Sequence, residues 1–328
     1  MTEALRRRVE RLTLAAIVVV VVLAPLGGSR LLLYSLTITA IYAIVTIALN
    51  VVLGLAGQVS FAQTTFMAIG GYGSALLTTR AHLNPWLALV VAALVALVVA
   101  LGVGPPLLRL RGHYLAMATF ALALGTDSFV GAATPLTNGS MGISGIPPLA
   151  IGSLSFADPL AFYVLSWVAC AITLGFFATL ATSYVGRAWR AIATGQDIAA
   201  TLGIRLLQYK VLAFAIGAIM ASIAGSLYAE FTSFVGPDLY DISIVVNIFL
   251  MLFIGGRGSY AGPLIGAALL TFAPEVLSGF EKAQNLIFFI LLLVLLLLWP
   301  GGLLGRSQDA GSMADMLPLW LQRRLPSR

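Results

Sequence analysis

The stretch Gly186–Lys210 reads GRAWRAIATGQDIAATLGIRLLQYK and lies between two strongly apolar segments. It is a long polar interruption with a dense basic set, formed by Arg187, Arg190, Arg205 and Lys210. Charged side chains are costly in hydrocarbon, so this pattern places the flanking segments in a membrane and the stretch itself in water. The stretch therefore marks the place where a membrane-embedded chain meets something in solution.

The composition of the 328 residues is that of an integral membrane protein. Hydrophobic residues make up 60% and charged residues only 9%, and the mean hydropathy is +1.02. Long apolar runs recur along the chain, which favours a polytopic, all-α membrane protein. The net charge of +6 comes from basic residues on the loops between these runs, so topology explains it better than nucleic-acid binding. Cys170 is a single cysteine, which is too few for a disulfide framework or a cysteine metal cluster, and we expect no cofactor.

Apolar segments of about 20 residues predict a helical bundle of about ten spans, some of them broken or re-entrant. The ten segments are 12–28, 31–53, 61–78, 86–108, 113–132, 160–185, 210–232, 241–256, 263–275 and 285–304. The eighth and ninth segments are short and are separated by GGRGSYAGP, so they also fit a hairpin that does not fully cross. The first segment lacks a small-x-small cleavage site, and we expect it to be retained. Residues 1–305 then form a transmembrane domain with a cytoplasmic loop at 186–210, and residues 306–328 form a cytoplasmic tail.

The distribution of Lys and Arg orients these segments. With the N-terminus in the cytoplasm, 15 of the 18 basic residues fall on cytoplasmic loops, and only Arg30, Arg80 and Lys282 fall outside. Basic residues concentrate in cytoplasmic loops, so the partition predicts that both termini are cytoplasmic. Acidic residues fall towards the outer boundary, where we expect them to stay solvated and to receive a partner or a cationic group. They are Asp127, Glu230, Asp238, Asp241 and Glu275.

Within Gly186–Lys210 the sequence predicts a short helix bracketed by Asp197 and Gly203. Asp is a favoured N-cap, and Gly commonly follows a helix C-terminus because it tolerates a positive φ. A helix of this length gains its stability by packing against something else. The small side chains of Ala199 and Ala200, amid so much charge, allow close approach by a partner. A solvated loop with a capped turn is the alternative interpretation.

The same run, together with FVGP at Phe234–Pro237, resembles the branched-chain amino acid ABC transporter permeases of the LivM type. Three further segments carry the resemblance: LAGQVSFAQTTFMAIGGYGSALL at Leu55–Leu77, LRLRGHYLAMATFALA at Leu108–Ala123 and TNGSMGISGIP at Thr137–Pro147. The resemblance implies a multi-pass permease subunit of the bacterial inner membrane. It also implies ABC ATPase subunits, a second permease subunit and a soluble substrate-binding protein as partners, with the cytoplasmic loop holding the helix that docks into the ATPase.

The residues that this resemblance assigns to ATPase coupling lie on the cytoplasmic loop. They are Arg187, Arg190, Asp197, Ala199, Ala200 and Gly203. ABC permeases generally carry Glu-Ala-Ala with a Gly four residues on, whereas here Ile198 separates the acid from Ala199, and Gly203 follows Ala200 by three. This spacing departs from the general motif but suits the LivM-like version, so we expect the loop to dock.

Glycine-rich and broken segments mark candidate positions on the substrate pathway. Free backbone groups are tolerated at membrane depth only where protein buries them or where they line a wet cavity. A small zwitterion with an apolar side chain suits such a lining, and close helix packing is the alternative role for these glycines. The candidate positions are Gly57, Gln58, Ser60, Gly70 and Gly71. Gly54 and Gly57 recur at the spacing of Gly255 and Gly258, which fits either an internal repeat or chance.

The sequence carries no G-x-x-x-x-G-K-[ST] phosphate loop, no H-E-x-x-H and no G-x-S-x-G in a strand-turn-helix setting. If ATP drives transport, another chain must hydrolyse it. Two functions remain. The first is a permease subunit of an ABC importer for branched-chain amino acids, and the second is an ion-gradient-driven transporter or channel for a small polar solute such as another amino acid, an amide or urea. The second usually needs charged residues at the membrane midplane, and the sequence places none there, so the first is favoured.

Overall fold

The computed structural model describes residues 3–27, 29–151, 154–276 and 302–304. Most of the predicted segment 285–304, the whole tail 306–328 and Lys282 lie outside these ranges. The described chain is mainly helical, as the sequence predicts.

The helices follow one another along the chain with short connections. They are α1 Glu3–Leu23, α2 Arg30–Leu49, α3 Gln63–Thr79, α4 Pro85–Leu107, α5 His113–Ala132, α6 Thr134–Thr137, α7 Pro159–Thr182, α8 Tyr184–Thr194, α9 Gln196–Thr201, α10 Leu206–Thr232, α11 Ile242–Gly255 and α12 Gly262–Val276. A π-helical turn, Asn50–Leu55, continues α2. Short 3-10 segments lie at Ala24–Gly27, Gly139–Met141 and Pro237–Tyr240.

Six segments of the described chain are long and apolar enough to cross a membrane. They are Arg30–Leu55, Pro85–Leu107, His113–Ala132, Pro159–Thr182, Leu206–Thr232 and Pro237–Gly255. The apolar part of α1, Leu12–Leu23, is shorter, and α3 and α12 have only 17 and 15 residues. The first nine predicted segments each coincide with a helix, so the helical membrane protein is confirmed, whereas the count of ten crossings is not. A helix of 15 residues spans only about 23 Å of a hydrocarbon core near 30 Å thick, so the described length of α12 does not by itself establish a crossing.

Two helices form the centre of the bundle. In the most apolar stretch of Arg30–Leu55, 83% of the residues are buried within the protein, and in Leu206–Thr232 the share is 72%. For α4, α5 and α7 the share falls to between 22% and 28%, so these helices turn most of their surface outwards. Helices α2 and α10 therefore lie in the core of the bundle, and α4, α5 and α7 lie around them.

Helix α4 shows how side-chain size decides which face is buried. Its buried residues repeat every four positions at Ala88, Ala92, Ala96 and Ala100. Larger residues occupy the opposite, exposed face, among them Val98, which is 68% exposed. Small residues at this spacing form a flat stripe that lets helices approach closely, while the branched residues suit lipid.

A very close approach between helices occurs where α3 crosses α10. A side chain at Gly70 would overlap the backbone of Ser222, and one at Gly225 would overlap the backbone of Met67. Ser226 Oγ donates a hydrogen bond to the carbonyl of Gly70 (3.0 Å) across this contact. Backbone-to-backbone packing of this kind is available only to residues with small or absent side chains.

Four short strands in the described chain were not predicted. β1, Ile143–Ser144, pairs antiparallel with β4, Phe234–Val235, with Ile143 opposite Val235. β2, Ala150–Ile151, pairs antiparallel with β3, Leu154–Ser155. The β1–β4 pair ties the long α5–α7 connection to the end of α10. The fold is thus all-α in the membrane with small strand pairs in its loops.

Candidate functional site

The polar loop at 186–210 folds into two helices, α8 and α9, joined at Gly195. Ser183 caps α8, because its Oγ accepts a hydrogen bond from the backbone N–H of Gly186 (3.2 Å). α8 is amphipathic, with Trp189 fully buried. The Trp189 indole Nε1 donates to the carbonyl of Tyr209 at the start of α10 (2.8 Å). The loop is therefore an ordered surface that is fixed to α10, one of the two central helices of the bundle.

The predicted short helix is present as α9, but its N-cap differs from the prediction. Gly195 occupies the N-cap, and Asp197 lies inside the first turn, so the assignment of Asp197 as cap is wrong. The Asp197 carboxylate instead accepts from Arg111 Nη1 on the α4–α5 connection (3.0 Å). The C-terminal prediction is confirmed, because Gly203 has φ +80° and its N–H donates to the carbonyl of Ala200 (3.0 Å).

The two alanines of α9 face different ways. Ala199 is 1% exposed, so its small side chain lets α9 lie close against its own chain. Ala200 is exposed. The apolar surface open to solvent comes from Ile198 and Leu202, which are 67% and 72% exposed. Sequence reasoning missed these two residues, although an apolar pair four positions apart in a polar loop was the signal for them.

Polar contacts tie α8 and α9 to the membrane bundle. Lys210 is buried near the start of α10, and its Nζ donates to Gln196 Oε1 at the start of α9 (2.8 Å). Arg187 is exposed and lies over the ring of Tyr184, with 5.5 Å from its guanidinium carbon to the ring centroid. Arg190 is half-buried. The basic residues of the loop thus divide into an anchor, Lys210, and a surface charge, Arg187.

Gly57 brings the predicted substrate pathway against the predicted coupling surface. It has φ +66°, and a side chain there would come within 2.8 Å of the Ala193 Cβ on α8. Gln58 and Ser60 follow in the same connection and are both buried. The amide atoms of Gln58 have no hydrogen-bond partner within the described ranges. Motion of α8 would therefore reach the α2–α3 connection directly.

Gly70 and Gly71 lie elsewhere, further along α3. Gly70 is at the α3–α10 crossing, and a side chain at Gly71 would overlap the hydroxyl of Tyr240. The structure therefore does not bring these two glycines together with Gln58 and Ser60. Close packing is the role that their contacts show, and a role on the pathway stays a prediction.

The two glycine-containing connections with equal spacing meet each other. Asn50 lies at the start of the π-helical turn, and its Nδ2 donates to the carbonyl of Ser259 (2.9 Å). Its Oδ1 accepts from the N–H of Gly258 (2.8 Å). Ser259 Oγ in turn accepts from the N–H of Gly262 (2.9 Å), which starts α12. We name these contacts the Asn50 clamp, and sequence reasoning missed both Asn50 and Ser259.

The outer acidic residues do not share one environment. Glu230 is only 3% exposed, so the expectation that it stays solvated is wrong. Its carboxylate oxygens have no hydrogen-bond partner among the residues that the structure describes. Asp241 caps α11 by accepting from the N–H groups of Ser243 and Ile244. Glu275 accepts from Ser35 Oγ (3.0 Å).

Comparison with known proteins identifies the family of this chain. The family described as "Branched-chain amino acid transport system / permease component" matches residues 31–299 of the chain. The chain belongs to this family. The match covers α2 to α12, so the α8–α9 surface and the Asn50 clamp both lie within the part that matches the family.

Individual permeases show the same relationship. The chain is 30% identical over 319 residues to the high-affinity branched-chain amino acid transport system permease protein LivM of Escherichia coli, covering 90% of this chain and 75% of the relative. It is 28% identical to the LivH permease of the same organism, covering 83% and 94%. It is 26% identical to the BraD permease of Pseudomonas aeruginosa, covering 84% and 95%. No solved structure gives a significant match.

Proposed function

We propose that this permease is a membrane-spanning subunit of an ATP-driven importer of branched-chain amino acids. Membership of the permease family carries the proposal. The ordered α8–α9 surface supports it, because an importer subunit without a phosphate loop needs a surface through which another chain delivers force.

The α9 helix is the part that contacts the ATPase in this proposal. Ile198 and Leu202 are exposed apolar residues on a helix outside the bundle, and burying them in a groove of a partner would be favourable. Arg187, Arg190 and Asp197 add charge around this apolar pair. Ala199 contributes differently, since it holds α9 against its own chain.

Three connections transmit motion of α8 and α9 into the membrane. The Trp189 and Lys210 bonds lead to α10, the Arg111–Asp197 ion pair leads to the start of α5, and the Gly57 contact leads to the α2–α3 connection. Short helices held by such contacts move as rigid units, so a change of the ATPase reaches several membrane helices together.

The proposed topology puts α8 and α9 in the cytoplasm and the α5–α7 connection outside. The substrate-binding protein would then dock near Ser140 and Asp238, which the β1–β4 pair brings to one side of the molecule. A cysteine at Thr194 should react with an impermeant thiol reagent only from the cytoplasmic side, and one at Ser140 only from outside. Reaction of both from the same side would contradict the topology. The natural Cys170 is buried, so we expect it to contribute little background labelling.

One observation favours the alternative of ion-coupled transport. Glu230 is a buried acid on a membrane helix, and such residues often serve in proton or ion pathways. It lies two residues before the last residue of α10 rather than at mid-span, which suits a structural role better.

The test separates the two functions by energy source. Purification in mild detergent should yield the chain together with an ATPase and a second permease. In vesicles, uptake of L-leucine should need ATP and the soluble binding protein, and it should survive collapse of the ion gradients. Uptake that follows the proton or sodium gradient and proceeds without ATP would contradict the importer and favour Glu230-dependent coupling, which the variant Glu230→Gln would then abolish.

A further inference from the structure

A cavity of about 810 Å³ opens between α2, α11 and α12. Leu31 and Ile242, near the first residues of α2 and α11, lie at one end of it. Tyr42 and Met251 lie about three turns further along the same two helices and mark the other end. With the proposed topology, the cavity runs from the outer surface towards the middle of the membrane.

Side chains beyond Tyr42 and Met251 close the inner end of this cavity. Thr46 Oγ1 contacts Met251 Sδ (3.6 Å) directly beyond Tyr42. One turn further along α2, the Asn50 clamp fastens α2 to the α11–α12 turn. The cavity is therefore closed at the end that the proposed topology places towards the cytoplasm, as in an outward-facing solute site.

Much of the wall is apolar and comes from all three helices. Ile38, Val246, Met251 and Leu270 line it. A volume of several hundred Å³ with such a lining suits a small molecule that has a branched aliphatic part.

Polar residues line the cavity from all three helices, and two of them lie on one face of α12. Thr271 and Glu275 lie four residues apart and both line the cavity, so their Cβ atoms are about 5–6 Å apart on one helix face. Glu275 brings negative charge and accepts from Ser35 Oγ. Thr271 Oγ1 is buried and has no hydrogen-bond partner among the described residues.

Pro274 adds an acceptor to the same face. It lies inside α12 and lacks the N–H that would bond the carbonyl four residues back, which belongs to Leu270. Both residues line the cavity. α12 thus offers a carbonyl without its usual helical donor and a carboxylate, which both favour an ammonium group, next to a hydroxyl that can donate to a carboxylate.

We propose that this cavity binds the transported solute as an α-amino acid zwitterion with an apolar side chain. The Leu270 carbonyl and Glu275 hold the ammonium group, Thr271 Oγ1 donates to the carboxylate, and Ile38, Val246 and Met251 enclose the side chain. The proposal rests on the proposed function and adds the place and the chemistry of solute binding within the membrane.

The first experiment uses the complete importer with its ATPase and binding protein, reconstituted in vesicles. The variant Val246→Trp narrows the cavity at the place proposed for the solute side chain, and should abolish L-leucine uptake while the complex still assembles. Thr271→Val removes one donor without changing the shape, and should weaken L-leucine uptake roughly two- to tenfold, the usual effect of one hydrogen bond. Pro274→Ala gives the Leu270 carbonyl a helical partner and should also weaken uptake.

Two variants serve as matched controls. Val98→Trp places the same bulk on the exposed face of α4, where it meets lipid. Thr173→Val removes a hydroxyl that bonds within α7 to the carbonyl of Ala169, away from the cavity. Both should import L-leucine at the parental rate. Equal uptake by Val246→Trp and Val98→Trp, with the parent active, would overturn the cavity proposal and leave the importer function standing.

The second experiment reads occupancy directly. A cysteine at Val246 in the purified complex should react with an impermeant thiol reagent, and L-leucine should slow that reaction severalfold. 4-Methylpentanoate, which is L-leucine without the ammonium group, and isoamylamine, which is L-leucine without the carboxylate, should slow it far less. Slowing by phospholipid but not by L-leucine would assign the cavity to a lipid and contradict the proposal. A parental complex that imports no L-leucine would instead contradict the proposed function itself.

Discussion

At the α3–α10 crossing, backbone lies directly on backbone, with Gly70 against Ser222 and Gly225 against Met67. At the α8–α9 surface, the contacts to the bundle are made by side chains, chiefly Trp189, Lys210 and Asp197. The crossing has no room for any added atom, whereas the surface leaves Ile198 and Leu202 open to solvent. The crossing therefore holds the packing on which folding depends, and the surface holds the apolar residues that we propose to contact a partner.

The largest effect is expected at the crossing. Gly225→Leu would force α3 and α10 apart, and the main chain of Met67 cannot move aside as a flexible side chain can. We expect loss of the folded protein, measured as the fraction that elutes as a single species after detergent extraction. Gly175→Leu is the control, because a side chain at Gly175 on α7 meets nothing within 4 Å. Equal recovery of both variants would contradict the comparison.

At the surface, a change should remove the partner and leave the fold intact. Leu202→Asp puts a charge into the apolar pair of α9, and burying an unpaired charge typically costs several kcal/mol. We expect normal recovery of the permease but loss of ATPase co-purification. Met141→Asp is the control, since Met141 is 87% exposed on the α5–α7 connection and should keep the ATPase bound. If the Leu202→Asp variant still co-purifies with the ATPase, the ATPase does not bind at Leu202.

A smaller effect is expected where α9 ends. Gly203 has φ +80°, and a β-branched residue there is strained by roughly 1–2 kcal/mol, so Gly203→Val should displace the end of α9. Uptake and stimulated ATPase activity should fall together, while recovery of the permease is unchanged. Asn tolerates this backbone region better, and Gly203→Asn should keep most of the activity. Equal losses in both variants would show that backbone strain is not the cause.

The smallest effect is expected from the exposed ion pair between Arg111 and Asp197. Their side chains are 60% and 87% exposed, and pairs of this kind contribute less than about 1 kcal/mol and are screened by salt. Asp197→Asn should lower stimulated ATPase activity slightly at low ionic strength and not at high ionic strength. Adding Arg111→Gln should cause no further loss. A large effect that persists in high salt would mean that Asp197 contacts the partner directly.

Local sequence features predicted several parts of the site correctly. Gly203 was recognisable because a positive φ at the end of a helix selects glycine almost by itself. The N-cap residue was not recognisable from the sequence, since Asp197 is equally able to cap a helix and to pair with a cation. Arg111, which decides between these roles, lies 86 residues away in the chain. Ala199 and Ala200 look alike in sequence, and only the packing of α9 shows that one is buried.

The sequence by itself determined the membrane class, the helical segments and the position of the polar surface, because transfer to lipid and helix length depend on residues that are neighbours in the chain. Only the tertiary structure decided that Gly57 touches α8, that Asn50 fastens α2 to the α11–α12 turn, and that Glu230 is buried. It also brought Thr271 and Glu275 together with Val246 around one cavity. These relations join residues far apart in sequence, and they arise from the close packing of helices, which no local pattern specifies.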